Sequence, residues 1–370
     1  MIAHTDAPWT SVYARHLAAL GHDLQVASFA PDPIEGVSVV RLGPARYHAR
    51  GDKYKYLSGV PALRRLVRRF APDLAFAPYL ISNGLAATLA GAAPLVVSAR
   101  GGDVLSQPDH AFWRRRIAAS LVRRICARAR IVHCVSENLR EHLVALGVAP
   151  DRIVQFPLGV DLTAFPLRDA APGDAHIVCT RRHVANSDIP LLLGAMAMLH
   201  REGRRLRCTL AADGPLLDAH ARLAESLGLG DCVAFAGRLD AAGVAALLRS
   251  ASVYVSAART DGASSSLLEA MAVGVIPVAA RIDANRPWVR DGETGLLFTP
   301  GDRSDLARSL ARALDDRALQ ERARARNREL VAREADRGRN LERLEALLLA
   351  AAGSPDAAAA CGIAARSAAS

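Results

Sequence analysis

The chain lacks any apolar stretch of the roughly 20 residues that a membrane-spanning helix needs. Its best run, residues 270–280, is short and contains Pro277. A secretory leader is not expected either, because Asp6 and Pro8 interrupt the amino terminus at once. The expected location is the cytoplasm, with peripheral attachment to the inner face of a membrane as the open extension. The six cysteines, at positions 126, 134, 179, 208, 232 and 361, make no C-x-x-C pair and no zinc-like spacing. Several lie in apolar, strand-like runs and read as small core residues of a reducing compartment. Aromatic residues make up only 5% and no nucleic-acid motif is present, which puts nucleic acid last among partners for a basic chain. There is no G-x-G-x-x-G. Gly228-Leu229-Gly230 lacks the third glycine and follows no strand, which disfavours a dinucleotide dehydrogenase.

What is present fits two soluble α/β domains. The 370 residues exceed one ordinary core, and 51% hydrophobic with 23% charged residues is a globular balance. The net charge of +10 is uneven. Residues 1–165 carry 20 Lys and Arg against 12 Asp and Glu, a net of +8, while residues 166–370 carry +2. Basic clusters sit at Arg64-Arg65, Arg68-Arg69, 114–116 and Arg123-Arg124. A solvated surface and an anionic membrane surface are both open readings of them.

Apolar or alternating runs recur at 23–29, 37–42, 73–79, 94–98, 130–135 and 152–156, with helical stretches at 11–20, 62–69, 111–128 and 137–146. That alternation predicts a parallel sheet covered on both faces. Gly159-Val160-Asp161, then Pro166, Pro172 and Gly173, mark a break. The rhythm restarts with strands at 176–180, 207–212, 232–235, 252–257 and 275–279, and helices at 190–201, 216–227, 241–251, 265–272 and 303–315. Residues 327–351 read as one or two charged amphipathic helices. Residues 353–370, nearly all Ala, Ser and Gly, read as a disordered tail. Residues 1–4 are short for a strand inside a parallel sheet. A short strand and a start placed a few residues late are equally open.

In open α/β sheets ligands bind beyond the carboxyl ends of the strands. Four strands of the second half deliver Arg, Gly or acidic residues to that rim: Arg181 and Arg182; Asp213 and Gly214; Gly237 and Arg238; and the segment from Arg259 through Asp261 and Gly262 to Glu269. Gly262 permits a backbone path close to a ligand. Ser264 or Ser265 is placed to cap the next helix, whose first N–H groups suit a phosphate. Arg182 suits a charge-assisted pair with the same phosphates. Glu269, about one turn into that helix, suits a ribose diol, since a carboxylate accepts from two hydroxyls. Asp261 suits sugar hydroxyls. Bland alternatives stand beside these: a surface arginine for Arg182, a turn residue for Asp261, a solvated helix position for Glu269. For Glu269 the apolar neighbours Leu267, Leu268, Met271 and Val273 argue for burial, and a buried carboxylate without a role is costly.

Here the sequence resembles the retaining GT-B glycosyltransferases of family four, over about residues 4–349. The E-x7-E signature of that family stands as Asp261-x7-Glu269. Asn285 and the run Asp291-Gly292-Glu293-Thr294-Gly295-Leu296-Leu297-Phe298 match a downstream pattern, and Phe156-Pro157-Leu158-Gly159-Val160-Asp161 matches its interdomain P-x-G-V-D. Pro72-Asp73 and Arg100-Gly101-Gly102-Asp103 resemble segments of a bacterial surface-glycan branch. The resemblance implies two Rossmann-like, doubly wound domains facing a cleft: an acceptor-side domain at 1–165, a nucleotide-sugar domain at 166–334, and a helix at 335–352 crossing back to the first domain. It implies Arg182, Asp261 and Glu269 as catalytic residues. Arg181, Gly214, Arg238, Leu239, Gly262, Ala263, Ser264 and Ser265, with Glu269, would hold the donor, and Thr10, Ser11, Arg100, Asp103 and Ser136 would lie on the acceptor side. The implied partners are a nucleotide diphosphate sugar and a glycan or lipid-linked acceptor in surface-polysaccharide assembly.

No cofactor or metal is expected. The chain contains no Asp-x-Asp, the acidic pair with which the other large glycosyltransferase fold holds a divalent ion against the diphosphate. Departures from the family pattern are specific. Ser187 stands where a second cation, Lys, is usual. Asp261 is one methylene shorter than Glu. Residues 5–11, TDAPWTS, lack the usual glycine-rich loop, and Arg100 replaces a rim histidine. Two alternatives stay open: a sugar-nucleotide 2-epimerase on the same fold, with Asp103 as candidate carboxylate, and a catalytically weak nucleotide-sugar-binding subunit.

Overall fold

The computed structural model describes residues 1–5, 7–29, 32–43, 55–102, 104–105, 112–170 and 172–354. Asp103, Cys361 and the expected tail from 355 on lie outside the described residues. The chain divides into two bodies, one of Met1–Pro157 with the segment from Arg339 on, the other Leu158–Gly338.

The first body is built from α1 (Pro8–Ala19), β1 (Gln25–Ser28), β2 (Ser38–Arg41), α2 (Lys55–Ser58), α3 (Val60–Phe70), β3 (Ala75–Pro78), α4 (Leu85–Ala90), β4 (Leu95–Ala99), α5 (Phe112–Arg128), β5 (Ile131–Cys134), α6 (Glu137–Ala145) and β6 (Ile153–Gln155). β3 to β6 form a parallel sheet in that order, and β1 pairs with β2 in parallel. The chain start joins them. Ile2 bridges Ala27 on one side and donates to the Phe76 carbonyl at 2.9 Å on the other. Residues 1–3 thus act as a short strand between β1 and β3. Every residue of β3, β4 and β5 is buried, as expected of parallel strands covered on both faces.

The second body contains β7 (His176–Cys179), α7 (Ile189–Arg201), β8 (Arg207–Leu210), α8 (Leu217–Ser226), β9 (Val233–Phe235), α9 (Ala241–Arg249), β10 (Val253–Ser256), α10 (Ser265–Val273), β11 (Ile276–Ala280), β12 (Leu296–Phe298), α11 (Arg303–Asp315) and α12 (Arg317–Glu334). Its six-stranded parallel sheet has the order β12-β11-β10-β7-β8-β9. Side-chain alternation splits its core in two. Ile177, Val253, Val255 and Val278 pack with Leu192, Met196 and Leu310 of α7 and α11 on one face, while Val178, Tyr254 and Ala279 pack with Leu267, Met271 and Val331 of α10 and α12 on the other. The last helix, α13 (Arg337–Ala352), returns to the first body from Arg339 on. There Glu345 pairs with His22 at 2.9 Å and Arg343 lies over the Phe156 ring at 4.6 Å.

Four elements depart from the sequence reading. β12, α2 and α4 were not expected, because three, four and six residues are too short to show a period. α12 begins at Arg317, well before 327. Its buried residues Leu319, Ala323, Asn327 and Val331 do recur every four positions, but alanine and asparagine hide the apolar stripe.

Candidate functional site

The order of the second sheet reverses at β7, which has β8 on one side and β10 on the other. The crevice beyond the carboxyl ends of β7 and β10 is therefore its topological switch point. The chain leaving β7 carries Arg181 and Arg182, and the chain leaving β10 carries Asp261 and the start of α10. The structure brings these together through Arg181. Its guanidinium meets Asp261 Oδ2 at 2.8 Å and donates to Ser264 Oγ at 2.9 Å. Burial is the largest single influence and works against the Arg181 charge, but Asp261, Tyr254 and Cys179 together outweigh it and hold the pKa above its ordinary value. Arg182 points elsewhere, donating from Nε to Asp213 Oδ1 at 3.0 Å. Arg238 Nη1 is 4.0 Å from the other Asp213 oxygen.

α10 starts here for local reasons. Ser264 is extended and its hydroxyl accepts from Leu267 N at 3.3 Å, so Ser264, and not Ser265, is the cap. Gly262, buried, donates to the Asp261 side chain at 2.9 Å and fixes the approach. Ala263 and Ser265 are half-buried beside it. Glu269 follows one turn later on α10. Burial pushes its carboxyl up to about 7 from an ordinary 4.5, with Arg337 acting in the opposite direction. Leu239 leads into α9, which Asp240 caps by accepting from Gly243 N at 2.8 Å.

Other residues stitch the rim loops to one another, and among them sequence reasoning missed Asn186, Asp188, His183 and His220. Asn186 donates to the Thr260 carbonyl at 2.8 Å and accepts from the Thr260 hydroxyl at 3.0 Å. Arg259 Nε donates to Asp188 Oδ2 at 3.0 Å, one residue beyond buried Ser187. His183 and His220, both buried, meet through their Nδ1 atoms at 2.9 Å, with burial lowering both pKa values. Gly214 has φ +153°, and a Cβ there would lie 2.4 Å from the His183 carbonyl oxygen. The glycine is thus required for the β8–α8 loop to lie against the chain leaving β7. Each of these contacts joins residues far apart in sequence, and only Gly214 carried a local signal.

In the first body, Arg100 and Ser136 end β4 and β5. Arg100 donates to the Tyr13 hydroxyl at 2.7 Å and lies over the rings of Tyr13 and Tyr79, at 5.1 and 5.9 Å. Tyr79 has φ +70°, a strained conformation for a bulky residue and a feature that clusters at functional rims. Thr10 is buried in α1 and Ser11 half-buried next to it. Ser136 donates to Asn138 Oδ1 at 2.5 Å at the start of α6. Tyr13 and Tyr79 were not anticipated. Asp103 lies outside the described residues. Among the described residues no helix is long and apolar enough to cross a membrane, and no three His, Cys, Asp or Glu residues cluster as metal ligands.

Comparison with known proteins gives a consistent result. Residues 168–330 match the family described as Glycosyl transferases group 1, and residues 11–164 match Glycosyltransferase Family 4. The phosphatidyl-myo-inositol mannosyltransferase of Mycobacterium leprae is 44% identical over 108 residues, 29% of each chain. The chain thus spans under a third of that relative's length. Sucrose-phosphate synthase from Thermosynechococcus elongatus superimposes with a TM-score of 0.81 at 21% identity, covering 93% of both chains. Anabaena HepE, solved in complex with UDP-glucose, has a TM-score of 0.75 at 18% identity, over 94% of this chain and 98% of that one. These structural likenesses show the GT-B fold.

Proposed function

Because the chain belongs to the group 1, family 4 glycosyltransferases, we propose that it is a retaining, metal-independent glycosyltransferase. It would move a hexose-type sugar from a nucleotide diphosphate sugar to a glycan or lipid-linked acceptor in cell-surface polysaccharide assembly. The observation that carries this reading is the switch-point cluster: Arg181 bound to Asp261 and Ser264 at the start of α10, with Glu269 one turn on. The binding of UDP-glucose by Anabaena HepE, on the same fold, supports the donor class.

In transfer the bond between the anomeric carbon and the diphosphate oxygen breaks, the acceptor hydroxyl forms the new bond and loses its proton, and negative charge gathers on the leaving diphosphate. Fixed cations and helix N–H groups aimed at that charge are the largest electrostatic contribution such a site makes. Arg182, once released from Asp213, and the amino end of α10 would fill that role, and Arg181 would supply the second cation that Ser187 cannot. Gly214, Arg238 and Leu239 flank the nucleotide, Gly262, Ala263 and Ser265 bring backbone to the phosphates and sugar, and Glu269 accepts from the ribose. Thr10, Ser11, Arg100 and Ser136 form the acceptor side. The test is donor hydrolysis and transfer across a panel of nucleotide sugars with EDTA present. Turnover that Arg182→Ala and Glu269→Gln abolish is expected. Binding without turnover would sink the catalytic reading in favour of a donor-binding subunit, and a strict metal requirement would sink the metal-free one.

Attachment to an anionic membrane surface belongs to the same proposal. α3 packs on α4 and α4 on α5, and none of the three contains Asp or Glu. Arg64, Arg65, Arg68 and Arg69 of α3 and Arg116, Arg123, Arg124 and Arg128 of α5 are exposed, with Leu57, Leu89 and Ile117 among them. Each basic residue at an anionic surface contributes about 1 kcal/mol. Flotation with phosphatidylglycerol vesicles, but not phosphatidylcholine vesicles, is expected, and Glu at the four α3 arginines should abolish it. Equal binding to both vesicles would refute the attachment.

A further inference from the structure

Two ion pairs join the arginines leaving β7 to aspartates of neighbouring rim loops, and they differ in kind. Arg181 and Asp261 meet at 2.8 Å with side chains 16% and 17% exposed, and Ser264 accepts from the same guanidinium. Breaking a pair at that depth strands a charge away from water, so this one is a fixture of the site. Arg182 and Asp213 meet at 3.0 Å with side chains 66% and 47% exposed. An exposed pair of that sort shifts an equilibrium by no more than about fivefold, so this one exchanges easily.

Arg238 comes to the same carboxylate from the chain leaving β9. Its Nη1 lies 4.0 Å from Asp213 Oδ2, while Arg182 Nε donates to Oδ1. Among the described residues Asp213 is the only carboxylate within ion-pair distance of either arginine. Two exposed cations thus converge on one small anion at the rim. The backbone of that anion is held. His183 N donates to the Asp213 carbonyl at 2.9 Å, and Leu216 N donates to the His183 carbonyl at 3.0 Å. Gly214, the next residue, leaves no room for a Cβ against the His183 backbone. Movement of Asp213 is therefore rotation about its own side-chain bonds. Arg182, long and mostly exposed, is able to follow a different anion. A diphosphate carries more negative charge than a carboxylate and offers more acceptor oxygens to a guanidinium, so it is the stronger claimant.

We propose that Asp213 is an internal competitor of the donor diphosphate: it holds Arg182 through an exchangeable pair, and the diphosphate binds by taking the arginine from it. The proposal rests on the donor reading above. It makes Asp213 a rim residue whose removal tightens nucleotide binding, the opposite of what a donor contact does.

The experiment is calorimetric titration of wild type, D213N and D213A with UDP, GDP and ADP at about 50 and 500 mM salt, spanning weak and strong screening. D213N keeps the size of the side chain without its charge, and D213A, the second variant, removes the acceptor as well. Both are expected to bind whichever diphosphate the wild type binds about fivefold more tightly at low salt. The gain should shrink at high salt, because the pair is exposed. The matching nucleoside, read by displacement of the diphosphate, has no phosphate to compete for Arg182 and should bind all three proteins alike. Diphosphate affinity that is unchanged or weaker in both variants overturns the proposal. A gain of the same factor for the nucleoside overturns it too, since that would report a loosened loop and not a freed arginine. If no diphosphate binds the wild type or either variant, the donor reading itself has failed, and the proposal fails with it.

Discussion

Glu269→Gln should make the free protein more stable while destroying its donor site. Burial holds the Glu269 carboxyl at about 7 in the folded chain, against an ordinary 4.5. That difference corresponds to about 3 kcal/mol. The sign follows from proton uptake. A carboxyl with a raised folded pKa binds its proton more tightly when folded, so stability falls as pH rises from 4.5 to about 7 and the whole amount is lost above that. The glutamine amide carries no charge and escapes this loss. Wild type and variant should therefore unfold alike near pH 4.5 and separate progressively, with the variant ahead by about 3 kcal/mol at pH 8. For a body of this size that is roughly 6–12 °C in Tm. Differential scanning calorimetry at pH 5, 6.5 and 8 measures the gap, and nucleotide titration of the same samples measures the lost site. A gap that does not widen with pH, or a variant less stable than wild type at pH 8, would refute the reasoning.

Gly159→Ala should cost at least about 2 kcal/mol, because the positive φ is strained for alanine and its Cβ meets the backbone of Ala335 and Arg337; a lower urea midpoint at unchanged slope is the expected reading. Ser264→Ala removes the α10 cap, worth about 1 kcal/mol, along with a hydroxyl partner of Arg181, so both Tm and donor affinity should drop. Gly214→Ala should weaken donor binding more than it lowers Tm, since its Cβ would press on the His183 backbone at the rim; equal losses in a stability series and a binding series would contradict that.

Much of the architecture was legible because parallel strands buried on both faces write continuous apolar runs. LVVSA, IVHC and VYVS announce β4, β5 and β10 on their own. Edge and Ala-rich elements write no such signal, which is why β12, α4 and the first half of α12 were missed. At the site, residue type and strand-end position were enough to select Arg181, Asp261 and Ser264, which meet at the switch point. Direction was not legible. The sequence treats Arg181 and Arg182 as neighbours, yet one turns to Asp261 and the other to Asp213, because side chains near a strand end alternate between faces. Arg337, Asn186 and the His183–His220 pair depend on contacts across long sequence separations, and no local pattern reports those.

The proposed function requires a nucleotide sugar at the switch point of the second sheet. A crystal structure of the chain with a nucleotide sugar from the panel tests this directly. The diphosphate is expected within hydrogen-bonding distance of the first N–H groups of α10 and of Arg181 or Arg182, with the ribose hydroxyls on Glu269. A nucleotide bound elsewhere, or a ribose that leaves Glu269 untouched, would contradict it.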